Sequence, residues 1–517
     1  MSATSQVADA RRRSGDPAAG RVADWQVTSL ITLIPAALAL AIGGYHIGNA
    51  PLWRDEAATL AISDRSLSQI LATLPHDDAV HGVYYLVIHV VILMAGTSAT
   101  ALRVPSLIAM AVASAFTALV TRDLVRTADG PYPGLTGAAA GAVFAITPST
   151  AGYAQEARSY AIVTALGMIA TFLLLRALRE GGRWWIGYGV AIALTGLFNL
   201  FGALIIVPHA VTLLIAKRRD LTTIGWRWLV AAGVGCVVML PIVVLGWSQR
   251  GALGWMAKPA WWSNFVAYIH GATGTPELTW PLVALAVLGV AVELSSRRSL
   301  GPAAVAVPLF LLPPVVLLTV SQVRPMWDIR YVEFAVPGFA ILLAWGMNAL
   351  ARLLARTPAR AWRLAWIPLA VVPALLLAAF WSAQAQARTS RPDNLLAESR
   401  IIERNARPGD AIIYFPINDR IVSMPYPGPW RKLRDVALAQ TPIASNTLYG
   451  VDVTPAQLPN RLAGVTRVWV VTSSEVNYFT TGRATPLDLA ERAFLSNMHI
   501  IAQWRDGDTE LVLYARS

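Results

Sequence analysis

Long apolar runs dominate the chain, broken by short charged stretches, and no water-soluble alternation of faces produces that pattern. About 20 apolar residues cross a hydrocarbon core as a helix. Runs of this kind centre on 27–47, 102–122, 133–151, 158–178, 184–198, 200–216, 228–247, 278–295, 302–321, 332–352 and 363–383. A further run, VYYLVIHVVILMAG at 83–96, is short and carries His89 in its middle. Basic residues arbitrate, because they collect on the cytoplasmic side of a membrane protein. If 83–96 lies flat at the interface, Arg122, Arg126, the 176–183 arginines, Lys217 to Arg219, Arg297, Arg298 and the 352–363 arginines all share one side with the N-terminus. If it crosses, all of them move outside. The pattern therefore predicts eleven spans, an interfacial helix at 83–96 and a C-terminus outside.

Composition agrees: the 517 residues are 55% hydrophobic and only 14% charged, with a mean hydropathy of +0.51. Such a chain is a polytopic membrane protein. Its 19 Trp residues gather near span ends, as at Trp25, Trp184, Trp185, Trp247, Trp261, Trp262 and Trp362, where an interfacial belt forms. The net charge of +12 is scattered between apolar runs, which argues for a basic cytoplasmic rim and against nucleic acid. The single Cys236 excludes a disulfide framework and a multi-cysteine metal site, and reads as a small core residue. Arg11, Arg12 and Arg13 stand too far before the first run for a compact signal peptide, so 1–26 reads as a cytoplasmic tail before a retained span.

Beyond about 388 the composition changes. RTSRPDNLLAESRIIERNARPGDAIIYFP reads as helix, Pro-Gly turn and buried strand. Apolar strands at 467–474, 498–504 and 509–516, with the helical LDLAERAFLSN before the last pair, predict a small α/β domain over 388–517 on the outer face. It has no glycine-rich nucleotide fingerprint. No internal repeat appears, and 27–387 forms the membrane domain, with outer-loop helices in about 51–98.

On this topology the charged residues outside the basic rim collect on the outer side. They are Asp55 and Glu56; Asp64 and Arg65; His76, Asp77, Asp78 and His81; Glu156 and Arg158; Arg250 and Lys258; and Arg324, Asp328, Arg330 and Glu333. A coupled transporter more often keeps ionisable groups at the midplane and shows inverted repeats. Carboxylates at the water edge can deprotonate an acceptor hydroxyl, while arginines hold a phosphate leaving group. The pattern suggests displacement at a carbon bound to phosphate, with a lipid-borne donor. YAQEARSYA (153–161) supplies Glu156 and Arg158, and PMWDIRYVEF (325–334) supplies Asp328, Arg330 and Tyr331.

WRDEAAT after the first span, VHGVYYLVIH, ALRVPSL, QEARSYA and RYVEFAVPG, in this order, resemble the GT-C superfamily of polytopic glycosyltransferases. Within it, the look is of the branch holding protein O-mannosyltransferases and lipid A aminoarabinose transferases, and of mycobacterial-type envelope mannosyltransferases. The likeness covers roughly 27–350 and lies in the order of the motifs rather than in any one. It implies a polyprenyl-phosphate sugar donor, Asp55 as base for the acceptor hydroxyl, and inversion at the anomeric carbon. Glu56 would orient Asp55 or the acceptor; Arg158, Arg330 and Tyr331 would bind the donor phosphate; and Glu156, His81 and Asp78 would orient substrate. Where that branch often has His-Pro-Pro, this chain has His81, Gly82 and Val83, which leaves the role of His81 open.

Plainer readings exist for each residue. Acidic residues suit a solvated helix N-terminus. Arg158 could pair with Glu156 or an anionic lipid, and Arg330 with Asp328 or Glu333. His76, Asp77, Asp78 and His81 match no defined metal spacing and read as a polar loop, though a divalent cation stays open. Tyr84 and Tyr85 would anchor the interfacial helix, and His89 and His209 would be interfacial or satisfied core histidines. The leading expectation is transfer of mannose to an outer glycolipid or polysaccharide at the plasma membrane. Its alternatives are an arabinofuranosyl or aminoarabinosyl transferase, a lipid-linked sugar transporter, or a glycan-binding scaffold.

Overall fold

The computed structural model describes residues 17–216, 221–254, 256–295, 300–355, 365–473, 479 and 483–516. The chain opens with α1 (Pro17–Gly44), the short α2 (Arg54–Ser63) and α3 (Leu67–Thr73), then α4 (Gly82–Ala95) and α5 (Ala99–Thr127). There follow α6 (Pro133–Ile146), α7 (Pro148–Ala154), α8 (Tyr160–Glu180), α9 (Trp184–Phe198) and α10 (Ile206–Ala216). The helical part ends with α11 (Leu221–Ser248), α12 (Trp261–Thr273), α13 (Pro276–Ser295), α14 (Pro302–Val320), α15 (Val336–Ala355), α16 (Ile367–Ala379) and α17 (Trp381–Thr389).

Among the described residues six helices are long and apolar enough to cross a membrane, and α16 with α17, bent by 51°, makes a seventh if the pair is one span. Four shorter apolar helices, Thr28–Gly44, Pro133–Ile146, Trp184–Phe198 and Leu200–Ala216, coincide with predicted spans. The protein is a multi-pass membrane protein. α5 is the hub, packed on α1, α6 and α8. Gly141 lets the helices approach there: a Cβ on it would lie 2.7 Å from both Pro35 Cβ and Ser114 O. Side chains such as Leu33, Leu240 and Val244 are exposed, as a lipid solvent permits. Cys236 belongs with these. It lies on the outer surface of the bundle and not in its core, because an apolar thiol has no reason to hide from lipid.

The run expected to lie flat forms α4, which buries Tyr84, Tyr85 and Ile88 on one face and exposes Leu93 and Met94 on the other. His89 bonds Ser63 O at 2.9 Å, and His209 lies between Thr171 and Tyr188. An apolar hollow of about 640 Å³ opens between α9 and α11, lined by Trp185, Gly189, Val230 and Val234. None of its lining residues belongs to the charged cluster described below.

The C-terminal part is α/β. After α18 (Leu395–Asn405) come β1 (Ala411–Phe415), α19 (Pro427–Trp430), β2 (Arg434–Asp435), β3 (Leu438–Gln440) and β4 (Val451–Asp452). Then α20 (Leu458–Leu462), β5 (Arg467–Ser473), α21 (Pro486–Leu495), β6 (His499–Asp506) and β7 (Thr509–Ala515) complete it. The main sheet runs β2-β1-β5-β7-β6, and β3 pairs with β4 in a separate hairpin. β1 is parallel to β2 and β5, while β7 is antiparallel to β5 and β6. The sheet has a core of its own, with Ile413, Phe415, Val468 and Val470, and shares a second with the membrane domain: Leu52, Ile62, Tyr85 and Ile88 cluster with Leu395, Ile412, Trp469 and Leu513.

Candidate active site

The site is built on the first turn of α2, whose N-terminal dipole end favours the acidic Asp55 and Glu56. Successive helical residues point about 100° apart, so Trp53, Arg54, Asp55 and Glu56 meet four different neighbours. Trp53 faces Arg330, whose guanidinium carbon lies 5.6 Å from the Trp53 ring centre. Arg54 reaches the C-terminal domain, pairing with Asp393 at 2.9 Å and with Asp419, and donating to Thr509 Oγ1 at 2.9 Å. The Tyr426 hydroxyl accepts from the N–H of Leu52 just before them, at 3.1 Å.

Glu56 is wholly buried against Arg103, with bonds of 2.7 and 2.6 Å to its two oxygens. Arg103 spends its other donors on the carbonyls of Ile47, Ala50 and Pro51, and the N–H of Ala157 donates to Glu56 Oε1 at 2.9 Å. A buried ion pair is tolerable when every remaining donor is satisfied in this way. Glu56 therefore ties α2 to the loops on either side and does not reach open space. Arg103 itself was missed by sequence reasoning. The available signal was a charge inside an apolar run, which in a membrane chain seldom lacks a specific partner.

Asp55 is placed differently: its side chain keeps 26% of its exposure, and Oδ2 accepts from Arg330 Nη1 at 2.5 Å. Arg158 Nε lies 3.7 Å from the same oxygen, too far for a hydrogen bond, and has no acceptor. Arg158 Nη1 donates to Asp78 Oδ2 at 3.3 Å and to the Tyr85 hydroxyl at 3.1 Å, while Tyr85 donates to Asp78. Arg330 Nε bonds Asp328 at 2.8 Å, and its guanidinium carbon is 5.9 Å from both the Tyr160 and Tyr331 rings. Tyr331 stacks on Phe201 with ring centres 4.3 Å apart. Both rings sit on 3-10 turns that lead into helices, Leu200–Ile205 before α10 and Ile329–Ala335 before α15. Each turn is capped by the side chain before it, Asn199 or Asp328, so local capping sets that stack.

Of the residues expected to act together, Asp55, Asp78, Arg158, Arg330 and Tyr331 form one connected charged cluster. His81 borders it, 4% exposed, with Nδ1 3.0 Å from Ser159 Oγ. Burial first, then Arg158, lowers its pKa to about 4, so it stays neutral at ordinary pH. Asp78 and His81 are thus not a solvated polar loop. Glu156 bonds neither Arg158 nor Arg330 through its carboxylate; it is 8% exposed, and Oε1 is unpartnered. Burial raises its pKa to about 7 against the pull of Arg330. Glu333 takes Ser149 as partner, at 2.9 Å, instead of Arg330. Tyr84 and Tyr85 are fully buried, so they anchor α4 inward and not at a membrane surface. Among the described residues, no group of three or more His, Cys, Asp or Glu side chains could hold a metal ion.

Residues 82–247 match the family model of dolichyl-phosphate-mannose-protein mannosyltransferases. No curated protein matches the chain by sequence. In structure it is similar to ArnT from Cupriavidus metallidurans in the apo state, with 12% identity and a TM-score of 0.58 over 96% of this chain and 98% of that one. It is similar also to the same protein bound to undecaprenyl phosphate, with 13% identity and a TM-score of 0.60 over 94% and 98%. The chain therefore has the fold of the GT-C superfamily of polytopic glycosyltransferases, with an α/β domain at its C-terminal end.

Proposed function

We propose that this protein is a membrane glycosyltransferase that moves a sugar from a polyprenyl-phosphate donor to the hydroxyl of a glycolipid or polysaccharide, with inversion. One observation carries the reading: two arginines from distant segments, the buried Arg158 and the partly buried Arg330, converge on Asp55, and Arg158 Nε has no acceptor of its own. An anion placed there would satisfy that donor and take over the contacts now made by Asp55. A phosphate fits, because guanidinium stays charged and pairs with phosphate oxygens. The undecaprenyl phosphate bound to the structurally similar ArnT supports a polyprenyl lipid.

In the proposed reaction the acceptor oxygen attacks the anomeric carbon and gives its proton to Asp55. The bond from that carbon to the phosphate oxygen breaks, and its electron pair leaves with the polyprenyl phosphate. Arg158 and Arg330 hold the charge that accumulates on the phosphate, helped by Tyr331 beside Arg330. Glu56 is a positioning residue acting through α2. This assignment puts the site and the C-terminal domain on the extracytoplasmic side of the plasma membrane, opposite the loops that carry the arginine clusters between spans. No step requires a divalent cation.

Mannose is the first choice of sugar, supported by the family match over 82–247. Of the two alternatives, an aminoarabinosyl donor has its own support, because the unpartnered Glu156 oxygen near Asp55 and Arg330 could receive a sugar ammonium. Purified protein in lipid vesicles, given radiolabelled polyprenyl-phosphate mannose and an envelope-glycolipid extract, should form labelled glycolipid. Transfer of a pentose but not mannose would move the assignment to the second sugar. Movement of intact donor across the vesicle without a new glycosidic bond would make the protein a transporter.

A further inference from the structure

We infer that the 441–450 loop of the C-terminal domain forms the acceptor side of the site, with Tyr449 as an acceptor-binding residue. The inference rests on the transferase reading above and deepens it. The loop joins β3 to β4 and crosses to the first membrane-domain loop, where two bonds seize it. The N–H of Leu448 donates to Asp77 Oδ2 at 2.7 Å, and Arg65 Nη2 donates to the carbonyl of Thr447 at 2.8 Å. From behind, Arg420 binds the carbonyl of Tyr449 at 2.7 Å while pairing with Asp435 and Asp452 at the base of the hairpin. Gly450, at a φ of +86°, then turns the chain back into β4, and a Cβ there would lie 2.7 Å from Gln440 O. The loop is thus fixed at three successive residues, 447, 448 and 449.

Tyr449 is only partly buried, and its charged neighbours are Asp78, Asp77, Asp55 and Arg158. Asp55 and Asp78 are the carboxylates of the proposed site, and Arg158 is one of its phosphate arginines. Arg330 meets Asp55 from a segment that runs into the bundle, and Tyr331 beside it stacks on Phe201. Inversion requires the acceptor to enter opposite the departing phosphate. That leaves the acceptor the flank on which the C-terminal domain stands. A partly exposed tyrosine suits a sugar there, with its ring against C–H groups and its hydroxyl available to a sugar hydroxyl.

The test is steady-state transfer by the full chain in vesicles, varying donor and acceptor separately. Tyr449→Ala should raise the acceptor KM about tenfold or more and leave the donor KM within about twofold. Tyr449→Phe, which keeps the ring, should raise the acceptor KM by about threefold. Binding of undecaprenyl phosphate and the thermal midpoint should follow wild type in both. An unchanged acceptor KM, or an equal rise in both KM values, overturns the assignment while leaving the transferase reading intact. If Tyr449→Ala does not fold, Tyr449→Phe decides, and an unchanged acceptor KM in it is overturning. Absence of transfer by wild type with either sugar removes both proposals.

Discussion

Two carboxylates adjacent in sequence meet two arginine sites built on different plans. Around Glu56 every donor of Arg103 has an acceptor, both carboxylate oxygens are bonded, and exposure is nil. Around Asp55, one oxygen is shared by Arg330 at 2.5 Å and by Arg158 at 3.7 Å, and the side chain stays partly open. A closed, saturated pair has nothing to offer a ligand. An open, under-bonded one can exchange partners when a stronger anion arrives. Residue type is the same chemistry in both places, and the number of unmet donors separates fastening from function.

The largest expected effect comes from Asp55→Asn, which keeps shape and removes the basic oxygen. Initial transfer rates should fall about 100- to 10,000-fold with the thermal midpoint held or raised, since Asp55 is only partly bonded. A rate within a few-fold of wild type would end its assignment as base. Next comes Glu56→Gln, which leaves the Arg103 charge buried without its counterion. Loss of one partner of such a pair costs about 3–5 kcal/mol, so this variant should appear as misfolded or short-lived protein in size-exclusion and thermal-unfolding measurements. Glu56→Leu combined with Arg103→Met should recover much of that stability. A well-folded Glu56→Gln lacking activity would erase the contrast by making both carboxylates catalytic.

The smallest effect concerns the acidic pocket around Arg54. Burial raises Glu398 from 4.5 to about 8 and Asp393 from 3.8 to about 6. A carboxyl whose pKa is higher in the folded chain than in the unfolded one contributes stability that is complete below the unfolded value and is lost as pH rises through the folded value. Between pH ~5 and ~8 the thermal midpoint should therefore fall, and Glu398→Gln should flatten that slope. An equally steep slope in the variant would place the sensitivity elsewhere.

Much of the fold was legible because apolar length is a local property. The runs ending near Arg122, Arg176 and Arg352 announce helices that the structure contains, and the Pro-Gly turn before β1 lies where composition put it. Asp55, Asp78, Arg158 and Arg330 were legible as a group because charge is conspicuous in an apolar chain. Their pairings were not. Arg330 lies 275 positions from Asp55, and no periodicity reports contacts at that range. Glu156 and Arg158 looked like partners by proximity, yet the turn between them directs one carboxylate into an unpartnered pocket and one guanidinium toward Asp55. Tyr449 escaped notice for a related reason. A tyrosine in a polar hairpin loop is ordinary until the tertiary fold sets it beside Asp77 and Asp78.

The four-way division of Trp53, Arg54, Asp55 and Glu56 also constrains how this protein can diverge. Because neighbouring positions address different directions, a single inserted or deleted codon within the motif would turn every later side chain by about 100°. Each would then face the wrong neighbour, with the interdomain clamp, the base and the buried anchor displaced together. Descendants can vary this segment one exchange at a time, but its spacing behaves as a reading frame, and homologous chains should align across it without gaps.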